Sequence, residues 1–406
     1  MLILLIIFYL LALFLIFMSY RSFVGGLEYL RYFKNELGKS GSGFTPYATI
    51  FAPCRGRDED LKTNLAALFC QNYPAYEIVF VTDDAGDPCV SVIEELRAEF
   101  EHLANVSSQL IIADKAIDEG QKVHNLRAAV PHAAEKSAVF AFVDSDARPG
   151  KDWLNYLAAP LEKEEIGAAA GYRWFISKRR NFSSELQSVW NASVASALGA
   201  NMKNNFCWGG STAILRKTFE NIAMREKWRG TLSDDFAVTR AVKEAGLLVY
   251  FVPQCLTASI EDCNFRGLLE FTTRQMKITR VYAPQYWKMS FAGSFVFNAV
   301  YLSGLLMIVF GPVYWQLLPA FFTLALVSFF SIGKSWLRLK AVRLVLTNYE
   351  KDLKKQFLTQ NTFWIISPAL FLYNCLAALV SRKIIWRGIT YELKSAKETI
   401  IYSNDK

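Results

Sequence analysis

At 406 residues, 52% hydrophobic and 20% charged, the chain is long enough for roughly two domains but too apolar to be water-soluble throughout. Its net charge of +8 gathers beside apolar runs, which fits membrane topology better than nucleic-acid binding. Seven scattered Cys with no Cys-x-x-Cys pair argue against structural zinc and fit a reducing compartment, and three His leave little for a His-centred mechanism.

Residues 1–20 carry no charged side chain, and about 20 apolar residues span a bilayer as a helix. A secretory signal would need a basic start and a small-residue cleavage site; this segment has neither and reads as a transmembrane anchor. Arg21, Arg31, Lys34 and Lys39 follow it and are expected to hold the next region in the cytoplasm. Residues 21–46, ending in "LGKSGSGFTP", read as a linker.

From 47 to 280 strand-like runs recur at 47–53, 77–82, 109–113 and 138–143, with helical periodicity in Leu61–Cys70, Val90–Phe100 and Asn125–Ala134. That alternation predicts an α/β domain, a mostly parallel Rossmann-like sheet with helices on both faces. Neither a Gly-x-Gly-x-x-Gly nor a Walker loop is present, so dinucleotide and ATP sites have no support.

Acidic residues end the strands instead. Asp83 and Asp84 follow the second, Asp144 and Asp146 the fourth, and Asp234 and Asp235 lie on a later loop before a helix that starts near Phe236. In open α/β sheets ligands sit beyond the carboxyl ends of the strands. Two hard oxygen donors there suit Mg²⁺ or Mn²⁺ holding a phosphate. The rival reading is a polar turn whose Asp caps the next helix; three acidic pairs along one domain favour a site.

Beyond the domain, Met289 to Gly333 is free of charge, so 281–333 has room for two transmembrane helices turning at Gly311-Pro312. Residues 334–356 are basic and amphipathic, as for a helix in the interface. A third C-terminal membrane segment is expected at 357–381, and 382–406 reads as a basic tail. Four full spans with the N-terminus outside would leave that tail outside, against the positive-inside tendency. Either 357–381 is re-entrant or the tail breaks the rule.

Taken together the motifs resemble family-2 glycosyltransferases of the GT-A fold, and above all the membrane-bound ceramide glucosyltransferases. The carriers are "GRDEDLKTNLAALFCQNYPAYEIVFVTDDAGDP", "GQKVHNL" at 120–126, "FCWGGSTAILRK" at 206–217 and "IIWRGITYEL" at 384–393, with Trp386, Arg387 and Tyr391 on a Trp-Arg…Tyr signature. Two departures stand out. The Gln-or-Arg-x-x-Arg-Trp motif appears as Arg274-x-x-Lys277-Ile278, and the usual Glu-Asp pair is Asp234-Asp235.

The resemblance implies transfer of one sugar, with inversion, from a UDP-sugar such as UDP-glucose to the hydroxyl of a membrane lipid, ceramide first. It implies Asp84, supported by Asp83, on the uracil or ribose, and Asp144 and Asp146 on the divalent ion. Asp235 is the expected general base with Asp234 as its neighbour. Arg55, Lys122, Arg274 and Lys277 are expected near phosphate oxygens, and Trp208, Gly209 and Gly210 on the acceptor side. For the single basic residues a solvated surface, and for Arg274 and Lys277 lipid headgroups, are the competing readings. Two other functions fit less of the pattern. A processive polysaccharide synthase normally keeps the full fourth motif and has more spans; an inactive lipid-binding scaffold would not need all the carboxylates.

Overall fold

The computed structural model describes residues 2–39, 43–57, 60–310 and 314–402. The chain divides into two units, each assembled from separated segments. One comprises Met1–Lys34, Ile176–Ser196 and Glu261–Ser381; the other comprises Asn35–Phe175, Ala197–Ile260 and Arg382–Lys406.

In chain order, α1 (Leu2–Leu37) leads to β1 (Ala48–Pro53), α2 (Leu61–Phe69), β2 (Tyr76–Thr82), α3 (Pro88–Glu99), β3 (Val106–Ile112), α4 (Gln121–Ala129) and β4 (Val139–Phe142). Next come α5 (Trp153–Ala158), β5 (Ile166–Ile176), α6 (Phe182–Ala195), β6 (Thr212–Leu215), α7 (Arg216–Asn221), α8 (Met224–Lys227), α9 (Asp234–Glu244) and β7 (Leu248–Ile260). The helices α10 (Phe265–Tyr282), α11 (Pro284–Phe310), α12 (Tyr314–Val345), α13 (Glu350–Lys355), α14 (Phe357–Thr362) and α15 (Ser367–Val380) follow. The last three elements are β8 (Lys383–Trp386), β9 (Ile389–Ser395) and β10 (Glu398–Tyr402).

The larger sheet has the order β3-β2-β1-β4-β6-β5-β7. Strands β3, β2, β1 and β4 run parallel, and β6 runs antiparallel to both its neighbours. Strands β1, β2 and β4 are buried along their whole length, which is why they lack polar alternation. Between the sheet and α4, α7, α8 and α9 lies a core containing Phe51, Phe140, Phe142, Phe219 and Trp228. The sheet reverses direction of growth at β1, with β2 on one side and β4 on the other. A crevice outside the carboxyl ends of β1 and β4 is therefore where a ligand is expected.

The fold class agrees with the α/β expectation, while three boundaries differ. Residues 21–37, expected in the linker, continue α1 without a break. Residues 334–345, expected in an interfacial segment, continue α12. The basic tail is folded: β8, β9 and β10 form a second, antiparallel sheet. The expected turn at Gly311-Pro312 lies outside the described residues.

In the other unit, Phe8, Ala12 and Leu15 of α1 pack with Val300, Ala320, Val327 and Trp364. Leu186 and Trp190 of α6 pack with Leu268, Met276, Leu370 and Ala378. Among the described residues three helices are long and apolar enough to cross a membrane: Leu5–Leu37, Pro284–Phe310 and Leu317–Val345. Phe357–Ile365 and Ser367–Val380 form a pair bent by 57°. Exposed Leu10, Leu13, Phe14 and Phe17 on α1 and Leu302, Leu306 and Phe310 on α11 suit lipid contact.

Candidate active site

Strand β2 ends in Thr82, so Asp83 and Asp84 emerge at the carboxyl edge of the sheet. Asp83 is buried, and two cations reach it: Lys115 Nζ lies 2.8 Å and Arg55 Nη1 3.7 Å from its Oδ2. Asp83 Oδ1 and Arg55 Nη1 are buried without a hydrogen-bond partner among the described residues. Exposed Asp84 accepts the Gly86 N–H at 2.9 Å and faces Lys115 at 3.6 Å. That backbone bond, with Lys115 beside it, holds its carboxyl below the usual range. Asp87 caps α3 through Cys89 N–H and also accepts Gly56 N–H at 2.8 Å, tying the loop after β1 to the loop after β2.

Asp144 follows β4, and Lys122 meets it from the first turn of α4, Nζ to Oδ1, at 2.6 Å. The same ammonium lies 3.0 Å from Asp234 Oδ2. Burial works against the Lys122 charge, but Asp144, Asp234 and Asp235 outweigh it and hold the ammonium above the usual lysine range. One cation cannot neutralise three carboxylates. Buried Asp234 is pushed up to about 6, by burial first, with Lys122 opposing and Asp235 and Asp144 adding to the rise.

Asp235 stands differently. Ser233 caps α9, and its hydroxyl donates to Asp235 Oδ1, which also accepts Phe236 N–H at 2.7 Å. The expected helix start near Phe236 is thus two residues late, because both aspartates already lie in the first turn. Gly209 N–H points to Asp235 Oδ2 at 3.4 Å. Asp235 is only half-buried, whereas Asp234 is buried and its carbonyl accepts Trp228 Nε1–H at 3.1 Å.

Glycine is needed at two of the three acceptor-side positions. A Cβ on Gly209 would fall 2.4 Å from Lys122 Nζ and 2.5 Å from Asp234 Oδ2. One on Gly210 would fall 2.2 Å from the Trp208 ring, which folds back over it. Arg173 lies 5.4 Å over that ring.

Thus Arg55, Asp83 and Asp84 gather beyond the carboxyl end of β2, and Lys122, Asp144, Asp234, Asp235 and Gly209 beyond that of β4. Asp146 lies half-buried on the turn after β4. Arg274 and Lys277 belong to the other unit, three apart on α10, where Arg274 stacks on Phe271 at 5.6 Å and burial holds Lys277 below the usual lysine range. Sequence reasoning missed Lys115. It stands just beyond β3 as the aspartates stand beyond β2. His124 Nδ1 lies 2.9 Å from Glu119 Oε1.

Among the described residues no three or more His, Cys, Asp or Glu side chains converge as a metal cluster. Asp144 and Asp146, one residue apart, offer two hard oxygen donors. A small divalent ion in a nucleotide site takes one or two carboxylates and completes its shell with phosphates and water. The donor set therefore fits Mg²⁺ or Mn²⁺.

The sequence model of glycosyl transferase family 21 matches residues 7–399. A ceramide glucosyltransferase of Candida albicans is 33% identical over 94 residues, 21% of this chain and 17% of that protein. Ceramide glucosyltransferase 3 of Caenorhabditis elegans is 20% identical over 237 residues, 57% of this chain and 50% of that protein. The chain thus spans half or less of the length of these relatives. A solved structure of the mannosyltransferase PcManGT from Pyrobaculum calidifontis, in complex with GDP-Man and Mn²⁺, is similar over 91% of this chain and 98% of that one. Its TM-score is 0.45 and its identity 19%.

Proposed function

Because the chain belongs to glycosyl transferase family 21, we propose that it is a membrane-bound inverting transferase. It moves a single sugar, glucose first, from a UDP-sugar to a lipid hydroxyl, with a ceramide-type lipid as acceptor and the sheet-bearing unit facing the cytoplasm. The observation that carries this reading is the seating of Lys122 between Asp144 and Asp234 with half-buried Asp235 beside them.

Each group then has work to do. Asp84, supported by Asp83 with its orphaned Oδ1, holds the uracil or ribose, and Arg55 turns its orphaned Nη1 to phosphate oxygens. Asp144 and Asp146 would hold the divalent ion, which when bound supplies Lewis-acid neutralisation of the diphosphate. Lys122 presents positive charge on the same side. Asp235 takes the proton of the acceptor hydroxyl on its Oδ2, while Ser233 and Phe236 fix its Oδ1. Asp234, held by Lys122 at 3.0 Å, stands beside it at the start of α9. Trp208, Gly209 and Gly210 keep an acceptor-side role on motif position, Gly209 making room for the Lys122–Asp234 pair. Arg274 and Lys277 keep a diphosphate-facing role on motif position.

The test is purified protein in lipid nanodiscs, offered a panel of UDP-sugars and lipids with Mg²⁺ or Mn²⁺, the products read by mass spectrometry. One sugar per lipid in the organic phase, lost on metal stripping with EDTA, is expected. A water-soluble polymer made from UDP-sugar alone would favour a synthase, and no turnover across the panel a scaffold.

A further inference from the structure

Tyr391, in the Trp-Arg…Tyr stretch, has no part in the mechanism above, yet it is 2% exposed on β9 with its hydroxyl against the catalytic loops. The Gln121 N–H donates to that hydroxyl oxygen at 3.3 Å, across 270 positions of sequence. Gln121 opens α4, and the residue before it is Gly120, which has no side chain to cap a helix. First-turn N–H groups have no partner within their own helix. The Gln121 side chain is already committed to Asp114, Ala116 and Asn125. Tyr391 therefore supplies the cap from another sheet, and the next residue along α4 is Lys122.

A second tie reaches the segment that delivers Asp234. Thr399 Oγ1 on β10 donates to the Gly230 carbonyl at 2.9 Å, and a Cβ on Gly230 would fall 2.2 Å from the Lys397 carbonyl oxygen. Gly230 N–H donates to Glu119 at 3.2 Å, and Gly120 N–H donates to the Thr231 carbonyl at 2.8 Å. The C-terminal sheet thus grips 119–122 and 230–234, the two segments whose side chains meet as Lys122 and Asp234 at 3.0 Å.

We propose that Tyr391 is a positioning residue for transfer: by capping α4 from the C-terminal sheet it fixes Lys122 between Asp144 and Asp234. The inference rests on the functional reading above for its catalytic consequence, and on geometry alone for the cap. It differs from simple packing because the phenol oxygen, rather than the ring, does the work.

The test compares full-length wild type with Tyr391→Phe in nanodiscs by hydrogen exchange and by turnover with UDP-glucose and a short-chain ceramide. Loss of a helix cap should speed exchange in a peptide over 115–129 about fivefold, leaving β1 and β2 unchanged. Turnover should fall about tenfold at a donor KM within about twofold of wild type, as misplacement of a group acting in the transition state predicts. In a Lys122→Met background, read by the residual single-turnover rate, Tyr391→Phe should cost nothing further. Thr399→Val, which spares the cap, should speed exchange over 228–236 instead and so separates general loosening from capping. Unchanged α4 exchange, wild-type turnover, or an equal loss in both backgrounds would overturn the proposal. Absence of turnover by wild type would count against the functional reading alone, and the exchange measurement would then decide on Tyr391 by itself.

Discussion

Gly209 is where the ion pair and the acceptor side compete for space. A methyl there would meet Lys122 Nζ and Asp234 Oδ2 inside 3 Å, but both are ends of side chains that can turn away. The cost to stability of Gly209→Ala is therefore expected at the low end for overpacking, about 1 kcal/mol, while the displaced ion pair should cut turnover at least tenfold. Melting and kinetics on the same preparation would check the split; equal losses of both would contradict it. Asp235→Asn tests the neighbouring carboxylate. It keeps the shape at the start of α9 but removes the proposed base, so turnover should fall by on the order of a hundredfold or more with UDP affinity nearly intact. Calorimetric titration with UDP beside the kinetics would show it. A defect confined to donor KM would assign Asp235 to donor binding instead.

At the scale of elements, the C-terminal sheet depends on one glycine. Gly230 has φ +74° and its α-carbon faces the Lys397 carbonyl, a backbone atom that cannot swing aside. Gly230→Ala is expected to cost about 1–3 kcal/mol through strain and the clash, measured as a lower midpoint in denaturant. It should also loosen β10 in hydrogen exchange. This sheet is the part of the fold that sequence reading did not find. β1, β2 and β4 announce themselves because burial on both faces leaves unbroken apolar runs. β8, β9 and β10 have one exposed face, so Lys383, Glu392, Lys394 and Glu398 interrupt them and they read as a charged tail. Asp83, Asp84, Asp144 and Asp146 were legible because they follow legible strands, and Asp234 and Asp235 because they open a legible helix. The grip of Tyr391 on Gln121 was not, since a contact across 270 positions leaves no periodicity to read.

At the scale of the whole chain, connectivity constrains the membrane segments. Residues 35–175, 197–260 and 382–402 belong to one folded unit and so lie on one side of a bilayer. Between 260 and 382 the chain must therefore cross an even number of times. If α11 and α12 both cross, the 57° bent pair Phe357–Ile365 and Ser367–Val380 is expected to enter and leave by the same face. On that reading the segment 357–381 is expected to be re-entrant, which would satisfy the positive-inside tendency. In a cysteine-free background, Lys397→Cys and a restored Cys70 should react with a membrane-impermeant maleimide from the same side, and Phe310→Cys from the opposite one. Labelling of the first two from opposite sides would refute the parity argument.

The placement of β8–β10 also sets a timetable for biogenesis. The strands that cap α4 and hold Gly230 leave the ribosome about 140 residues after β7, a delay of roughly 10–30 s at ordinary rates of synthesis. During that interval α11, α12 and the bent pair must enter the bilayer while the segments around Lys122 and Asp234 wait for their clamp. On the proposed roles of Lys122 and Asp234, completion of the catalytic site is expected to follow synthesis of the membrane segments rather than precede it.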